Sequence, residues 1–276
     1  MAHISYSELK EWANCPWKHK LNYIERINPF AGNEHTAFGT SMHTVCENIV
    51  QEKDVDFKKL FQEEFLNNLQ KLKEANSNYD FQQKLITEMR EQGEKLVKYV
   101  LPALKQYFGA FELVSIEEKL FEPIIDADYD FKGFIDLVVK TKDGIHHVID
   151  WKTCSWGWDT RRKTDKITTY QLTLYKYFWC QKHNVDLKDT QTHFALLKRT
   201  AKKNQVEFFK VTTGAKKIEN ALKLLNKAVY NIKKQRHIKN RLSCHGRYGL
   251  CEFYKTRYPL VYDRSKILGL VMGNGE

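Results

Sequence analysis

The stretch from Gly133 to Thr153 constrains this chain most. It reads G-F-I-D-L-V-V-K, a short polar turn, then H-V-I-D-W-K-T. Two apolar, β-branched runs each carry one carboxylate, Asp136 and Asp150, and K-D-G at 142–144 supplies hairpin chemistry between them. Carboxylates are poor strand residues, because a buried unpaired charge is costly unless it neutralises. One in each of two neighbouring strands calls for a positive charge between them, and a divalent metal ion meets that need. Alternation along the second strand puts Asp150 and Lys152 on one face. A metal-binding carboxylate beside an ammonium suits phosphodiester hydrolysis: the metal polarises phosphate and acidifies a bound water, and the lysine positions or activates that water. Gly133 permits close approach of backbone or nucleic acid.

The remaining pattern places this pair in an α/β chain. Residues 5–27 read as a helix that Pro16 breaks or kinks, and N-P-F-A-G-N at 28–33 as a loop. Helical periodicity covers 37–53, 56–75 and 80–108, with Leu60, Phe61, Phe65, Leu69 and Leu72 forming a core stripe. From Phe111 onward the runs become β-type. A helix follows at 166–183, then strands near 191–198 and 205–212, then a long amphipathic helix from Gly214 to about Arg236. No linker divides the chain, so it reads as a single domain over 1–276. Its helical N-terminal part is 1–110, its sheet core 111–212, and its C-terminal helix and cysteine-containing segment 213–276. The last residues, G-L-V-M-G-N-G-E, read as loosely held.

Charge narrows the partner. The 45 Lys+Arg against 34 Asp+Glu give +11, which fits a polyanion such as DNA or RNA. No stretch approaches the ~18 apolar residues of a membrane span, and the N-terminus lacks an apolar secretion core, so a cytoplasmic protein is expected. Six cysteines in a reducing compartment imply free thiols or a metal site rather than disulfides.

The ordered motifs resemble the PD-(D/E)XK nuclease superfamily, specifically its RecB-like branch. Cys15-Pro16, G-T-S-M-H ending at His43, S-I-E-E-K-L around Glu117 and Glu118, G-F-I-D, D-W-K-T and Y-Q-L-T-L-Y from Tyr170 to Tyr175 follow in that branch's order. The resemblance spans roughly residues 5–255 and implies a restriction-endonuclease-like core: a central mixed β-sheet flanked by helices, with a helical N-terminal elaboration. It implies His43 as a metal ligand with Asp136, Asp150 and the backbone carbonyl of Trp151. It also implies Lys152 as the catalytic lysine and Gln171 as the helix glutamine contacting the site, with Tyr175 one turn further along. Of the strand glutamates, Glu118 shares a face with Ile116 and Leu120 and Glu117 shares one with Phe121; the motif spacing favours Glu118. Glu47, at i+4 from His43, reads as a helix-face carboxylate.

The expected activity is a Mg²⁺- or Mn²⁺-dependent deoxyribonuclease. It resembles phage and mitochondrial-maintenance exonucleases and acts on single-stranded DNA or DNA ends in replication, recombination or repair. The alternatives are an inactive nucleic-acid-binding protein of the same fold, or a nuclease acting on RNA. Trp156, Trp158, Arg161, Arg162 and Lys163 mix rings with cations beside the site and read as strand contacts. Several relatives of this type hold a four-cysteine iron–sulfur cluster. Here Cys15, Cys244 and Cys251 occupy matching places but tyrosines follow at 254 and 258, so the three thiols read as a remnant and no cluster is expected.

Overall fold

The computed structural model describes residues 2–27, 32–246 and 249–254. The chain divides into two compact units, Met1–Tyr6 with Phe30–Asn226, and Ser7–Pro29 with Lys227–Glu276. Most of the expected 28–33 loop and the tail beyond 254 lie outside the described residues.

In chain order the elements are β1 (His3–Ser5), α1 (Tyr6–Asn14), α2 (Pro16–His19), one π-helical turn (Lys20–Ile24), α3 (Glu34–Val50), α4 (Phe57–Ala75) and α5 (Gln83–Phe108). Then come β2 (Phe111–Pro123), β3 (Asp130–Thr141), β4 (His146–Cys154), α6 (Thr160–Thr164), α7 (Lys166–His183), β5 (Thr190–Lys198), β6 (Val206–Val211) and α8 (Ala215–Lys233). A short strand pair, β7 (His245–Gly246) and β8 (Gly249–Leu250), follows. Pro16 interrupts the first helix as its missing N–H requires, sitting at the first position of α2 after an extended Cys15. Helix α3 begins three residues before its apolar pattern does. Asn33 caps it reciprocally with Thr36: the Thr36 N–H donates to Asn33 Oδ1 at 3.1 Å, and the Asn33 N–H to Thr36 Oγ1 at 2.8 Å.

The first unit carries a mixed sheet of order β1-β3-β4-β5-β6, with β2 on the other side of β3. Pairs β2/β3, β3/β4 and β5/β6 are antiparallel; β1/β3 and β4/β5 are parallel, and α7 lies in the crossover from β4 to β5. Leu137, Val139, Ile149, Trp151, Ala195 and Leu197 share one core with α3, α4 and α5. On β4 the alternate residue His146 meets α7 on the opposite face, against Trp179 at 5.2 Å, and at the far end of β3 Phe131 stacks on Phe178 of α7 at 4.5 Å. The fold is therefore a helix-flanked mixed sheet with a helical N-terminal elaboration, as expected.

One irregularity positions the site. The β3/β4 ladder runs from Lys140↔His146 to Leu137↔Ile149 and stops there, just before Asp136 and Asp150. Beyond it β1 takes over the same edge of β3, pairing His3–Ser5 with Asp130–Lys132. The three-residue β1 is too short to carry a sequence pattern, and it was not expected.

In the second unit the Asn240 N–H donates to Cys15 Sγ at 3.4 Å and the Cys251 N–H to the Cys244 carbonyl at 2.8 Å. Lys18 pairs with Glu252 at 2.9 Å. All three cysteines of the expected remnant thus belong to this unit. Among the described residues their sulfurs do not form a compact ligand trio. No described helix is long and apolar enough to cross a membrane.

Candidate active site

Where the β3/β4 ladder opens, side chains replace backbone pairing. Asp136 Oδ2 accepts from the Trp151 N–H at 2.7 Å, bridging the two strands with a carboxylate. Asp150 is buried, and its two oxygens have separate partners: Oδ1 accepts from Gln171 Nε2 at 2.8 Å, and Oδ2 lies 2.5 Å from Lys152 Nζ. Helix α7 delivers Gln171, and the same amide lies 3.4 Å from the Tyr175 hydroxyl. The Tyr175 ring covers Gly133: a Cβ there would stand 2.8 Å from it, so the glycine is required for a close approach. Tyr175 is itself buried, and this packing, rather than contact with a strand, is what the structure gives it.

Helix α3 brings His43 to the other side of the opening. Its Nδ1 is 3.6 Å from Asp136 Oδ2, and the imidazole also hydrogen-bonds the Trp151 carbonyl. Burial holds the His43 pKa below its ordinary value, so the ring is neutral at pH 7 and keeps a lone pair for a cation. Asp136 is pushed well above the usual carboxylate range, first by burial and then by Asp150.

The third group is Glu117, not Glu118, and this corrects the sequence preference. The β2/β3 register pairs Ile116 with Leu137 and Glu118 with Ile135, which sets Glu117 opposite Asp136. Among the described residues, His43, Glu117 and Asp136 each offer a ligand atom within 4.8 Å of the others. Glu117 adopts φ +46°, a left-handed conformation inside a strand. That residue breaks the alternation. Ile116 packs with the α3–α5 core and Glu117 hydrogen-bonds Glu47 on α3, while Glu118 turns to α7. Glu47 is raised to about 7 by burial and by Glu117.

Glu118 instead fastens β2 to α7. Its carboxylate accepts from Ser115 Oγ, Trp179 Nε1, Lys182 Nζ and His183 Nε2 at 2.5–2.9 Å. These donors hold its pKa down at about 2 against the opposing effect of burial. Glu118→Gln is expected to cost about 1.5–3 kcal/mol, read as a lower urea midpoint at pH 7, because hydrogen bonds to a charged group are lost. The stabilisation is present above the unfolded pKa near 4.5 and fades as pH falls towards 2, so the two proteins should converge in acid.

The backbone at Glu117 yields a separate expectation. A left-handed non-glycine residue costs about 1–2 kcal/mol. Glu117→Gly and Glu117→Ala remove the same carboxylate, yet the glycine variant is expected to be more stable by about 1 kcal/mol in metal-free buffer. Equal melting temperatures would mean that the strand relaxes without strain.

The aromatic–basic loop divides. Trp156 is 76% exposed. Trp158 is buried against Phe194 and Phe209, so it is an anchor rather than a surface for bases. Arg162 stacks over the Trp158 ring at 4.3 Å, Lys163 is paired with Glu207, and Arg161 is exposed.

The donor set fits a divalent cation. Three carboxylates, Glu117, Asp136 and Asp150, face a single ammonium, leaving negative charge uncompensated. Ligand atoms within 4.8 Å of one another match ions that take oxygens at about 2.0–2.6 Å.

Over residues 3–255 the sequence matches the family model of the PD-(D/E)XK nuclease superfamily. The chain belongs to that superfamily. As a PD-(D/E)XK protein it is of a class of nucleic-acid hydrolases that use divalent metals. Among solved structures it is similar to an Eubacterium rectale protein named as a candidate exonuclease, at 12% identity and a TM-score of 0.58, covering 98% of this chain and 93% of that one. At that identity the likeness establishes the fold alone. A second structure, SSO0001, matches at 12% identity over 73% of this chain and 88% of its own, with a TM-score of 0.34 that carries no argument. No curated protein sequence matches.

Proposed function

We propose that this PD-(D/E)XK protein is a Mg²⁺- or Mn²⁺-dependent deoxyribonuclease of the RecB-like type. It removes nucleotides from single-stranded DNA or DNA ends in a reducing, cytoplasmic setting, during replication, recombination or repair. One observation carries the reading: His43, Glu117 and Asp136 converge within 4.8 Å beside the Asp150–Lys152 pair. The +11 charge supports a polyanionic substrate, and the name of the Eubacterium rectale protein supports exonucleolytic action.

Glu117, Asp136 and Asp150 would hold the cation, with neutral His43 and the Trp151 carbonyl beside it. Bound there, a divalent ion supplies Lewis acidity towards phosphate oxygen and lowers the pKa of a coordinated water. The protein's own contributions follow from its contacts. Gln171 fixes one oxygen of Asp150, so the other is directed at Lys152. Lys152 Nζ is thereby held beside Asp150 at the opening. There it hydrogen-bonds the attacking water or a non-bridging phosphate oxygen and offsets charge as the fifth P–O bond forms.

A time course on end-labelled single- and double-stranded DNA with Mg²⁺ or Mn²⁺ tests this. Short products accumulating from one end of the single strand are expected. Internal fragments from the outset would remove the exonuclease assignment, and faster cleavage of a matched RNA strand would remove the deoxyribonuclease one.

A further inference from the structure

Trp156 sits on the β4–α6 loop, four residues beyond Lys152, with its indole three-quarters exposed. Four extended residues span at most about 14 Å. The loop is tied down on both sides. Before it, the Arg199 N–H donates to the Cys154 carbonyl at 3.0 Å. The Thr200 hydroxyl donates to the Ser155 carbonyl at 2.7 Å, and the Arg199 guanidinium bonds Ser155 Oγ at 3.0 Å and Gln92 Oε1 at 2.9 Å. After it, Trp158 is driven into Phe194 and Phe209 under the Arg162 guanidinium. Gly157 between them takes φ +120°, where a side chain would be strained and its Cβ would meet Lys198 at 3.1 Å.

The loop therefore spends its apolar contacts on Trp158 and holds Trp156 out into solvent. We infer that Trp156 is a fixed stacking platform for one unpaired base of a DNA strand whose backbone passes Lys152. The occupant is set by charge and distance. Arg161 and Lys166, both exposed within ten residues after the indole, supply cations suited to phosphates, and the separation from Lys152 places the stacked base within a few nucleotides of the bond to be cut. A blunt duplex offers no free base at this depth, so the platform favours single strands. This inference rests on the nuclease reading of the Lys152 site.

The test uses the full chain in EDTA with a 12-nucleotide oligothymidylate, read by tryptophan fluorescence and by anisotropy. Trp12, Trp151, Trp158 and Trp179 are buried and Trp17 is half-buried, so the emission lost in Trp156→Ala identifies the share that belongs to Trp156. Saturating strand should quench that emission, whereas a blunt duplex should not. Trp156→Ala should weaken binding about five- to a hundred-fold, the range for one stacked base, and Trp156→Tyr should retain most of it. Wild-type emission that ignores the strand overturns the platform, even if DNA is cleaved. So does Trp156→Ala binding within two-fold of wild type. Conversely, quenching that persists in a protein unable to cleave DNA with Mg²⁺ or Mn²⁺ removes the nuclease reading and keeps the platform.

Discussion

Lys152→Met is expected to slow phosphodiester cleavage by about 10²–10⁴-fold, with substrate affinity nearly unchanged. The ammonium acts on charge that develops during attack, and a positioned proton donor or charge stabiliser is worth roughly that much. Single-turnover rates at saturating strand separate this from a binding defect. The same substitution has a consequence for stability. Asp150 is buried, and without Lys152 it keeps only the Gln171 amide. Removing one partner of a buried pair costs about 3 kcal/mol at the low end, so Lys152→Met should melt early in EDTA. A divalent cation replaces the missing positive charge, and Mg²⁺ should then raise the melting temperature of Lys152→Met more than that of wild type. Asp136→Asn is expected to do the reverse. Asparagine keeps an acceptor for the Trp151 N–H but removes one of two crowded buried carboxylates. The metal-free protein should gain about 0.5–2 kcal/mol while losing its response to Mg²⁺ and its activity. A Lys152→Met protein that cuts at the wild-type rate would dissociate the Asp150–Lys152 pair from catalysis.

Much of this site was legible because its signals are local. Asp150 and Lys152 are two apart in one strand, and period-2 alternation alone puts them together. Gln171 and Tyr175 are one turn apart on a helix, which local periodicity also reads. The glutamate was misread because the rule that served Asp150 fails at Glu117. A single left-handed residue resets the alternation, so Ile116 and Glu118 part company. The register would have helped: Glu117 lies opposite Asp136, but pairing of distant strands is not written in either strand by itself. Trp156 and Trp158 are equivalent in composition. Which one is buried depends on Phe194 and Phe209, from β5 and β6, which lie 36 and 51 residues beyond Trp158. Strand β1 had too few residues to announce itself, and its role, continuing the edge that β4 leaves, exists only in the assembled sheet.

A second group escaped the sequence for the same reason, and it carries the largest expected pH effect. His147 on β4 and His193 on β5 are both buried, and their rings meet at 3.0 Å through Nδ1 and Nε2. His147 Nε2 lies 2.9 Å from Thr141 Oγ1, whose proton goes to Asp143, and His193 Nδ1 lies 3.4 Å from the Tyr107 hydroxyl. The only proton order that satisfies every link runs Tyr107 to His193 to His147 to Thr141 to Asp143, with both imidazoles neutral and protonated at Nε2. Burial holds His147 at about 4, with Lys210 and His146 adding repulsion against Asp143, and it holds His193 at about 3, with His147 and Lys210 adding to it. In the unfolded chain both titrate near 6.5. Folding stability from this pair is therefore complete above about pH 6.5 and is lost as pH falls towards 4 and then 3, because the unfolded chain takes up protons first. Each histidine contributes a slope of about 1.4 kcal/mol per pH unit, so at pH 5 the pair can remove up to about 4 kcal/mol, a large part of a typical domain's stability. Urea unfolding between pH 5.0 and 6.5 measures this above the range where Glu118 begins to protonate. His193→Gln should cut the slope by about 1.4 kcal/mol per pH unit. An unchanged slope would mean that this pair does not set the acid limit of the fold.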